Sequence, residues 1–208
     1  MEKILEYVMK KDFTEFIKNE LKTNSLLIGC GLPASGKTVC AGAVQKIKGY
    51  KILSTDIIRL EVLRDEDVFD EKVASDNDKR SLVYEELFKK ADEIAGKVNG
   101  IILDATFFTQ LLRRKAAFIA DRHGMTLIIL QTHCPDEVCL RRISQRGRER
   151  YESNAITEQA FYNNLNNFEP VDIEDIKKNY PDLSIVHVMV DTASDDIKNW
   201  FIVDITAR

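Results

Sequence analysis

The segment GLPASGKT at residues 31–38 has the residue types and spacing of a phosphate-binding loop. Gly31 and Gly36 tolerate backbone dihedrals that other residues avoid, so successive N–H groups can turn toward an anion. A helix that begins near Gly36 would add its positive N-terminal end. Lys37 would reach the β- and γ-phosphates of a nucleotide, and the Thr38 hydroxyl would bind Mg²⁺. The predicted nucleotide-binding residues of this segment are Gly31, Pro33, Ala34, Ser35, Gly36, Lys37, Thr38 and Val39.

A second candidate residue is Asp104, which ends the apolar run IILD at residues 101–104. The run has the form of a buried strand, and an acid at its carboxyl end would face the metal ion beside a phosphate loop. The alternative is an aspartate that caps a helix or a turn. Because the chain contains a phosphate loop, we favour the metal role and predict Thr38 and Asp104 as Mg²⁺ ligands.

An acid and a base lie one helical turn apart in KILSTDIIR at residues 51–59. Asp56 follows a short apolar run, and Arg59 comes three residues later. On its own, Asp56 is as well explained by a helix cap as by an active site. A strand that follows the phosphate-loop helix would, however, place Asp56 at the carboxyl edge of the sheet, where ligands bind in such folds.

Two blocks of charge interrupt the chain. Residues 61–80 hold eight acidic and four basic side chains, and residues 141–150 hold five arginines against Glu149. A solvated surface is the default explanation for either block. Arginine is also the side chain of bidentate phosphate recognition, so the second block predicts a lid over residues 141–156 that closes on the phosphates.

Five nearly continuous apolar runs predict strands that are buried on both faces. They are SLLIG at 25–29, YKIL at 50–53, GIILD at 100–104, TLIIL at 126–130 and SIVHVMV at 184–190. Predicted helices at 37–48, 81–98 and 110–123 separate them. This alternation predicts an α/β fold: a three-layer α/β/α arrangement with a mostly parallel five-stranded sheet, as in P-loop nucleoside triphosphate hydrolases, and a helical arginine-rich lid.

The remaining features of the chain predict a single domain. Residues 1–24 form an amphipathic helical extension, and no repeat or linker divides residues 1–208. With 44% hydrophobic residues and a net charge of −4, the chain has enough apolar surface for a core and no general attraction to nucleic acid or membranes. No secretory or membrane-spanning run is evident, so we expect a cytoplasmic protein.

The four cysteines fit no paired zinc pattern. They are Cys30, Cys40, Cys134 and Cys139. His133 lies beside Cys134, which makes a small metal cluster conceivable, but buried free thiols explain these residues better.

Taken in order, the motifs resemble the P-loop kinases of the polynucleotide-kinase type, a group that borders the zeta-toxin and chloramphenicol phosphotransferase kinases. The resemblance covers about residues 26–170. Its motifs stand here as GLPASGKT at 31–38, STDIIR at 54–59, ILDATF at 102–107, RRISQRG at 141–147 and NNFEP at 166–170. The chain departs from the family pattern at Phe107, where many members have Asn.

The resemblance implies an ATP-dependent kinase that uses Mg²⁺, with Asp56 accepting the proton of the attacking hydroxyl and Arg59 holding the acceptor. It places Arg146 on the transferring phosphoryl group and Arg142 near the adenine or the phosphates. The implied catalytic residues are Lys37, Asp56 and Arg146. The implied acceptor-site residues are Thr55, Asp56, Arg59, Thr106 and Arg113. For Arg113, a structural ion pair is the equal alternative.

The acceptor and the partners stay open at this level. A small molecule with a hydroxyl group and a polynucleotide 5′ end both fit the motifs, while the acidic run at 61–80 argues against a long nucleic acid. One alternative is a P-loop ATPase or nucleotide-dependent switch that acts through a protein partner. Another is a zeta-toxin-like kinase with a bound antitoxin. Nothing in the sequence indicates the oligomeric state.

Overall fold

The computed structural model describes residues 11–70, 72–73, 76–145 and 157–208 of the chain. Their strands are β1 (Lys11–Asp12), β2 (Ser25–Cys30), β3 (Lys51–Ser54), β4 (Gly100–Asp104), β5 (Thr126–His133), β6 (Ile185–Asp191) and β7 (Phe201–Ala207). Their helices are α1 (Phe13–Asn19), α2 (Lys37–Lys48), α3 (Thr55–Val62), α4 (Asn77–Ile94), α5 (Gln110–Arg122), α6 (Asp136–Ser144), α7 (Glu158–Asn166) and α8 (Ile173–Asn179). A 3₁₀ turn covers Ile197–Asn199.

The strands form one sheet in the order β1-β7-β6-β5-β2-β4-β3. The five predicted strands, β2 to β6, pair in parallel, while β7 and β1 add antiparallel pairs at one edge. The prediction of five strands was therefore two short. β7 follows β6 through a loop with a 3₁₀ turn and no α-helix, so it falls outside the strand–helix alternation that was used for the prediction, and β1 has only two residues.

Two apolar layers cover the faces of the sheet. One contains Leu26, Ile28 and Leu103 and packs against α3, α4, α5 and α8. The other contains Leu27 and Ile102, which point the opposite way because side chains alternate along a strand, and packs against α1 and α2. The three-layer α/β/α prediction is confirmed. Within the described residues, no helix combines the length and apolar character needed to cross a membrane.

Helix boundaries follow local capping chemistry. α2 covers Lys37–Lys48 as predicted and ends at Gly49, whose φ of 70° is left-handed. α4 begins four residues earlier than predicted, because the carboxylate of Asp76 accepts hydrogen bonds from the N–H groups of Asp78 and Lys79. The same helix ends at Ile94 instead of Val98.

The two predicted appendages are described only in part. In the N-terminal extension, α1 buries Phe13, Phe16 and Ile17 against the layer that contains α2, while residues 1–10 lie outside the described residues. In the predicted lid, α6 supplies residues 141–144, and residues 146–156 lie outside the described part of the chain.

Arg113 on α5 is the largest fully buried side chain in the described structure. Its guanidinium donates to the carbonyl oxygens of Phe107 (3.0 Å), Pro170 (2.8 Å) and Glu169 (2.6 Å). The guanidinium carbon also lies 5.4 Å from the ring centroid of Phe168. Among the described residues Arg113 forms no ion pair and instead binds main-chain carbonyls of two loops, while an acceptor contact for it stays a prediction.

Replacing Arg113 by Ala should destabilise the fold strongly. Several buried carbonyl groups would lose their donors at a cost of roughly 1–3 kcal/mol each, which predicts a loss of at least about 3 kcal/mol. That loss lowers the melting temperature by about 6–12 °C in a chain of this size. The matched control is Arg114→Ala, which removes a partly exposed ion pair with Asp175 and should have a smaller effect. Equal melting temperatures for the two variants, measured by calorimetry, would contradict this assignment.

Candidate active site

The phosphate loop joins β2 to α2 through a left-handed backbone. Gly36 precedes α2 with a φ of 97°, and Ala34 has a φ of 61°. A Cβ atom at Gly36 would lie 2.8 Å from the Trp200 ring, and one at Gly31 would lie 2.1 Å from Thr132 Oγ1. Both glycines are therefore required by close neighbours as well as by dihedral angles.

Side chains of the loop itself, of β5 and of the segment after β6 hold the phosphate loop in this shape. Ser35 Oγ lies 2.6 Å from Thr132 Oγ1 at the end of β5, and Ser35 also donates to the Leu32 carbonyl at 2.7 Å. The Thr192 hydroxyl, after β6, donates to the Ser35 carbonyl at 2.7 Å. Lys37 Nζ donates to the Leu32 carbonyl at 2.7 Å. The carbonyls of Leu32 and Ser35 thus have side-chain donors, which fix the course of the loop.

The predicted metal ligands lie together at the carboxyl edge of the sheet. Asp104 ends β4, is 7% exposed, and accepts a hydrogen bond from the Thr38 hydroxyl at the start of α2. Burial raises the pKa of the Asp104 carboxyl above its usual value, against the opposing effects of the Lys37 charge and the Thr38 hydrogen bond. A buried carboxylate and a hydroxyl are oxygen ligands of the kind that Mg²⁺ prefers.

The segment STDIIR begins α3 directly beside Asp104. Ser54 and Asp104 are register partners on adjacent parallel strands, and the Thr55 hydroxyl donates to the Asp104 carbonyl at 3.3 Å. Ser54, not Asp56, caps the helix, because its side chain accepts from the Asp56 N–H at 3.3 Å. The cap explanation for Asp56 is therefore wrong. Its half-buried carboxylate lies in the first turn of α3, with Arg59 one turn further.

Arg142 on α6 contacts the phosphate loop from the opposite side. Its guanidinium donates to the carbonyls of Ala34 (3.4 Å), Thr192 (2.9 Å) and Ser194 (2.9 Å), and pairs with Asp195 at 3.0 Å. The side chain is 17% exposed. Arg142 therefore ties the loop that follows β6 to the phosphate loop, and a nucleotide contact for it stays a prediction.

The other predicted site residues fall in three environments. The Thr106 carbonyl accepts from the Gly31 N–H at 3.4 Å, so the loop after β4 touches the phosphate loop directly. Arg113 lies in the buried network described above. Arg146 lies outside the described residues, so its position is not part of this structure.

Three residues that position the phosphate loop were not predicted from the sequence. Thr132, Thr192 and Trp200 all lie beyond the phosphate loop by about 100 residues or more, and each is an ordinary core or turn residue by its local pattern. Trp200 also donates its indole N–H to the Ser194 carbonyl at 2.7 Å. The one sequence feature that could have pointed to Trp200 is that it is the single tryptophan of the chain and lies next to a short turn. A buried indole needs a polar partner, so such a residue is expected to make a specific contact.

Phe107, the departure from the family pattern, has a left-handed φ of 46° and is fully buried. Asn is among the side chains that tolerate this conformation best, which explains why Asn suits the position. Here the Phe107 ring packs edge-on against Tyr84 and Phe88, with centroids 5.9 and 6.2 Å away. These aromatic contacts offset the backbone strain.

Cys134 is half-buried between the phosphate-loop side of α6 and the loop after β6. A hydrogen bond from Cys139 and the nearby charge of Arg142, whose Nη1 is 3.4 Å from the sulfur, lower the pKa of Cys134 to about 7. Among the described residues, no group of three or more His, Cys, Asp or Glu side chains is arranged to hold a metal ion. The less favoured alternative, a metal cluster of His133 with the cysteines, is therefore not assembled among these residues.

A family model described as an AAA domain, AAA_33, matches residues 26–171, more than half of the chain. The chain belongs to the AAA_33 family. This is a family of P-loop NTPases, in agreement with the recognised resemblance. A search of curated protein sequences returned no match for this AAA_33 protein.

Solved structures share the fold of this AAA_33 protein at low sequence identity. A putative kinase from Chloroflexus aurantiacus matches with a TM-score of 0.61 and 18% identity, covering 85% of this chain and 94% of its own. A gluconokinase from Sinorhizobium meliloti matches at 0.53 and 17%, covering 83% and 85%. Chaetomium thermophilum Kti12 in complex with ADP-AlF3 matches at 0.55 and 22%, covering 71% and 81%. These likenesses confirm a P-loop kinase-like fold.

The environment of Cys134 predicts a thiol with unusual reactivity. Its rate of alkylation by iodoacetamide should rise as pH rises through about 7 and level off above about 8, since the thiolate is the reactive form. The buried thiols of Cys30 and Cys40, whose pKa values burial raises, should stay unmodified in the folded protein. Site-resolved mass spectrometry gives the rates.

Arg142→Gln should move the midpoint of that Cys134 profile to higher pH, because it removes a nearby positive charge. The matched control is Arg141→Gln, which alters a neighbouring exposed arginine that pairs with Asp195. An unchanged midpoint in Arg142→Gln would show that Arg142 does not lie against Cys134.

Proposed function

We propose that this protein is an ATP-dependent phosphotransferase that moves the γ-phosphoryl group of ATP to a hydroxyl group. One observation carries the proposal: the register pair Ser54 and Asp104 sets the start of α3 beside the phosphate-loop edge of the sheet. Asp56 therefore lies in the first turn of the helix that follows β3, the strand next to the one that Asp104 ends. A site that only hydrolyses ATP does not require a second acidic residue, here Asp56, followed one helical turn later by a basic residue, here Arg59.

The proposed reaction is a displacement at the γ-phosphorus. The acceptor oxygen forms a bond to phosphorus, the bond from phosphorus to the β–γ bridging oxygen breaks, and ADP leaves with that electron pair. The proton of the acceptor hydroxyl passes to the Asp56 carboxylate. Because the transition state is loose, Asp56 serves mainly to orient the hydroxyl, and Lys37 with the loop amides stabilises charge on the phosphate oxygens.

Mg²⁺ fits the residues present. The Thr38 hydroxyl and the Asp104 carboxylate are two hard oxygen donors in contact, and a bound cation would relieve the unfavourable burial of the Asp104 charge. When bound, the ion neutralises phosphate oxygens. Arg142 and Arg146 belong to the proposed nucleotide side, with Arg146 as the proposed lid residue on the transferred group.

The acceptor class of the proposal covers small molecules with a hydroxyl group and a polynucleotide 5′ end. The fold that the chain shares with the gluconokinase from Sinorhizobium meliloti supports a small-molecule acceptor. The exposed acidic side chains that follow α3 support an acceptor with few phosphates, since long nucleic acids bind through basic surfaces.

Asp56→Asn should abolish most acceptor phosphorylation while ATP affinity stays unchanged. Loss of a positioned base costs about 10²-fold or more in turnover, whereas Asp56 is not part of the proposed phosphate site. The control is Asp65→Asn, an acid whose side chain is 90% exposed. Full-rate phosphorylation by Asp56→Asn would contradict the assigned role.

Asp104→Asn should lower the preference for Mg²⁺-ATP over metal-free ATP. The variant keeps the shape of the side chain and removes the charge that would hold the ion. Titrations of ATP with and without Mg²⁺, followed by calorimetry, give the two affinities. The idea fails if the ratio of the two affinities is the same in the variant and the native protein.

A screen with labelled ATP tests the proposal as a whole. The protein is incubated with pooled metabolites and, separately, with 5′-hydroxyl oligonucleotides, and labelled products are separated. Transfer to either pool supports the kinase. ATP hydrolysis without labelled product in both pools would overturn it and favour a nucleotide-dependent switch.

A further inference from the structure

Two cysteine side chains meet at the first turn of α6. Cys134 lies two residues before the helix and Cys139 is its fourth residue, which are the two positions whose side chains commonly pack together at a helix start. The Cys139 N–H donates to the Pro135 carbonyl at 3.1 Å, so the turn brings Cys139 back onto the residue that follows Cys134. The Cys139 thiol donates a hydrogen bond to the Cys134 sulfur. The two thiols are therefore direct neighbours.

The face of α6 that carries Cys139 also carries a cation for Cys134. Arg142 lies three residues after Cys139, on the same side of the helix, and its Nη1 atom is 3.4 Å from the Cys134 sulfur. Together with the hydrogen bond from Cys139, this charge favours the thiolate form of Cys134. The negative sulfur thus has two donors, one from a thiol and one from a guanidinium.

The two thiols differ in access and in charge. Among the described residues Cys134 is half-buried, so a small reagent can reach its sulfur, whereas Cys139 is fully buried. The hydrogen bond to Cys134, together with burial, raises the pKa of the Cys139 thiol above its usual value. An accessible thiolate beside a second, protonated thiol is the arrangement of oxidation-sensitive cysteines, in which the first sulfur reacts and the second displaces the reagent.

The thiol pair is connected to the phosphate loop by two kinds of contact. Cys139 and Ala34 belong to one buried apolar cluster, and Leu32 and Cys134 pack against that cluster. The second contact is polar, because the Arg142 Nη1 atom that meets the Cys134 sulfur also donates to the Ala34 carbonyl at 3.4 Å. A change at the two sulfur atoms would therefore reach the loop that carries the nucleotide-site motif.

We propose that Cys134 and Cys139 form a redox site, which a low-molecular-weight disulfide oxidises to an intramolecular disulfide that lowers the affinity of the phosphate loop for nucleotide. The inference goes beyond the proposed function, since it concerns nucleotide binding and requires no phosphate acceptor. The other two cysteines are excluded from this chemistry, because Cys30 and Cys40 are fully buried on β2 and α2 and burial raises their pKa values.

The proposed oxidation takes two exchange steps. The Cys134 thiolate attacks one sulfur of the small disulfide, whose sulfur–sulfur bond breaks, and one small thiolate leaves. Cys134 then carries no charge, so the hydrogen bond that kept the proton on Cys139 is lost. The Cys139 sulfur attacks the Cys134 sulfur, and the second small thiol leaves with the proton of Cys139. Two protein thiols are thereby oxidised, and one external disulfide is reduced to two thiols.

Oxidation should weaken nucleotide binding through Arg142. A sulfur–sulfur bond is about 2.05 Å long, so the Cys134 sulfur must move closer to Cys139 than a hydrogen bond places it. The sulfur also loses its negative charge, and Arg142 loses the anionic partner that helps to hold its guanidinium beside the Ala34 carbonyl. We expect nucleotide affinity to fall about fivefold, which is the effect of one ordinary hydrogen bond.

Mass spectrometry tests the disulfide, with oxidised glutathione as the probe. The native protein should lose two hydrogen atoms from the peptide that contains both cysteines and retain no glutathione. Cys139→Ala should retain one glutathione on Cys134, and Cys134→Ala should react at neither position. The matched control is Cys40→Ala, which should behave as the native protein does. A native protein that stays fully reduced or keeps glutathione would overturn the proposal, and this result needs no variant to fold.

Calorimetric titration with ADP tests the effect on the phosphate loop. The oxidised native protein should bind ADP about fivefold more weakly than the reduced protein, and dithiothreitol should restore the affinity. Cys134→Ala should bind ADP equally before and after treatment with oxidised glutathione. Equal ADP affinity of the reduced and oxidised native protein would overturn the regulatory effect. Absence of ADP binding in both forms would overturn that effect together with the proposed function, while the mass measurement still decides whether the disulfide forms.

Discussion

The phosphate loop depends on donors that come from elsewhere in the chain to satisfy its carbonyl groups. Thr192 donates to the Ser35 carbonyl and Arg142 to the Ala34 carbonyl, while Lys37 of the motif itself donates to the Leu32 carbonyl. Buried main-chain groups need partners, and a loop that satisfied its own carbonyls with its own amides would have none left for a ligand. The loops after β5 and β6 therefore preserve the anion-binding property of the motif.

The antiparallel edge strands β7 and β1 also help to support the phosphate loop and the helix α2 that follows it. β7 pairs with β6 and follows Trp200, whose ring lies against Gly36. β1 pairs with β7 and leads into α1, which packs on the layer that contains α2. α1 and Trp200 thus pack against the side of the sheet that carries the phosphate-loop helix. A five-stranded sheet would carry the motif but would lack this support.

Two buried arginines show how structure separates support from function. Arg113 donates to carbonyl groups of the loops after β4 and α7, so its charge is solvated by the protein itself. Arg59 is equally removed from solvent, yet two of its donor atoms have no partner in the described chain. By sequence, both are arginines that follow a strand by several residues. Only the positions of the surrounding oxygen atoms distinguish them.

The amino-acid sequence by itself determined the five parallel strands, the α2 boundaries and the nucleotide-site motif. Each of these has a local cause: continuous apolar runs, a C-terminal glycine, or glycines at fixed spacing. It did not determine the edge strand β7, because β7 returns antiparallel to β6 without an intervening α-helix and so falls outside the strand–helix alternation. Nor did it determine which buried arginine finds partners. The Glu169 and Pro170 carbonyls that bind Arg113 lie more than 50 residues away in the chain, so only the tertiary packing decided that the donors of Arg113 are satisfied while two donor atoms of Arg59 are not.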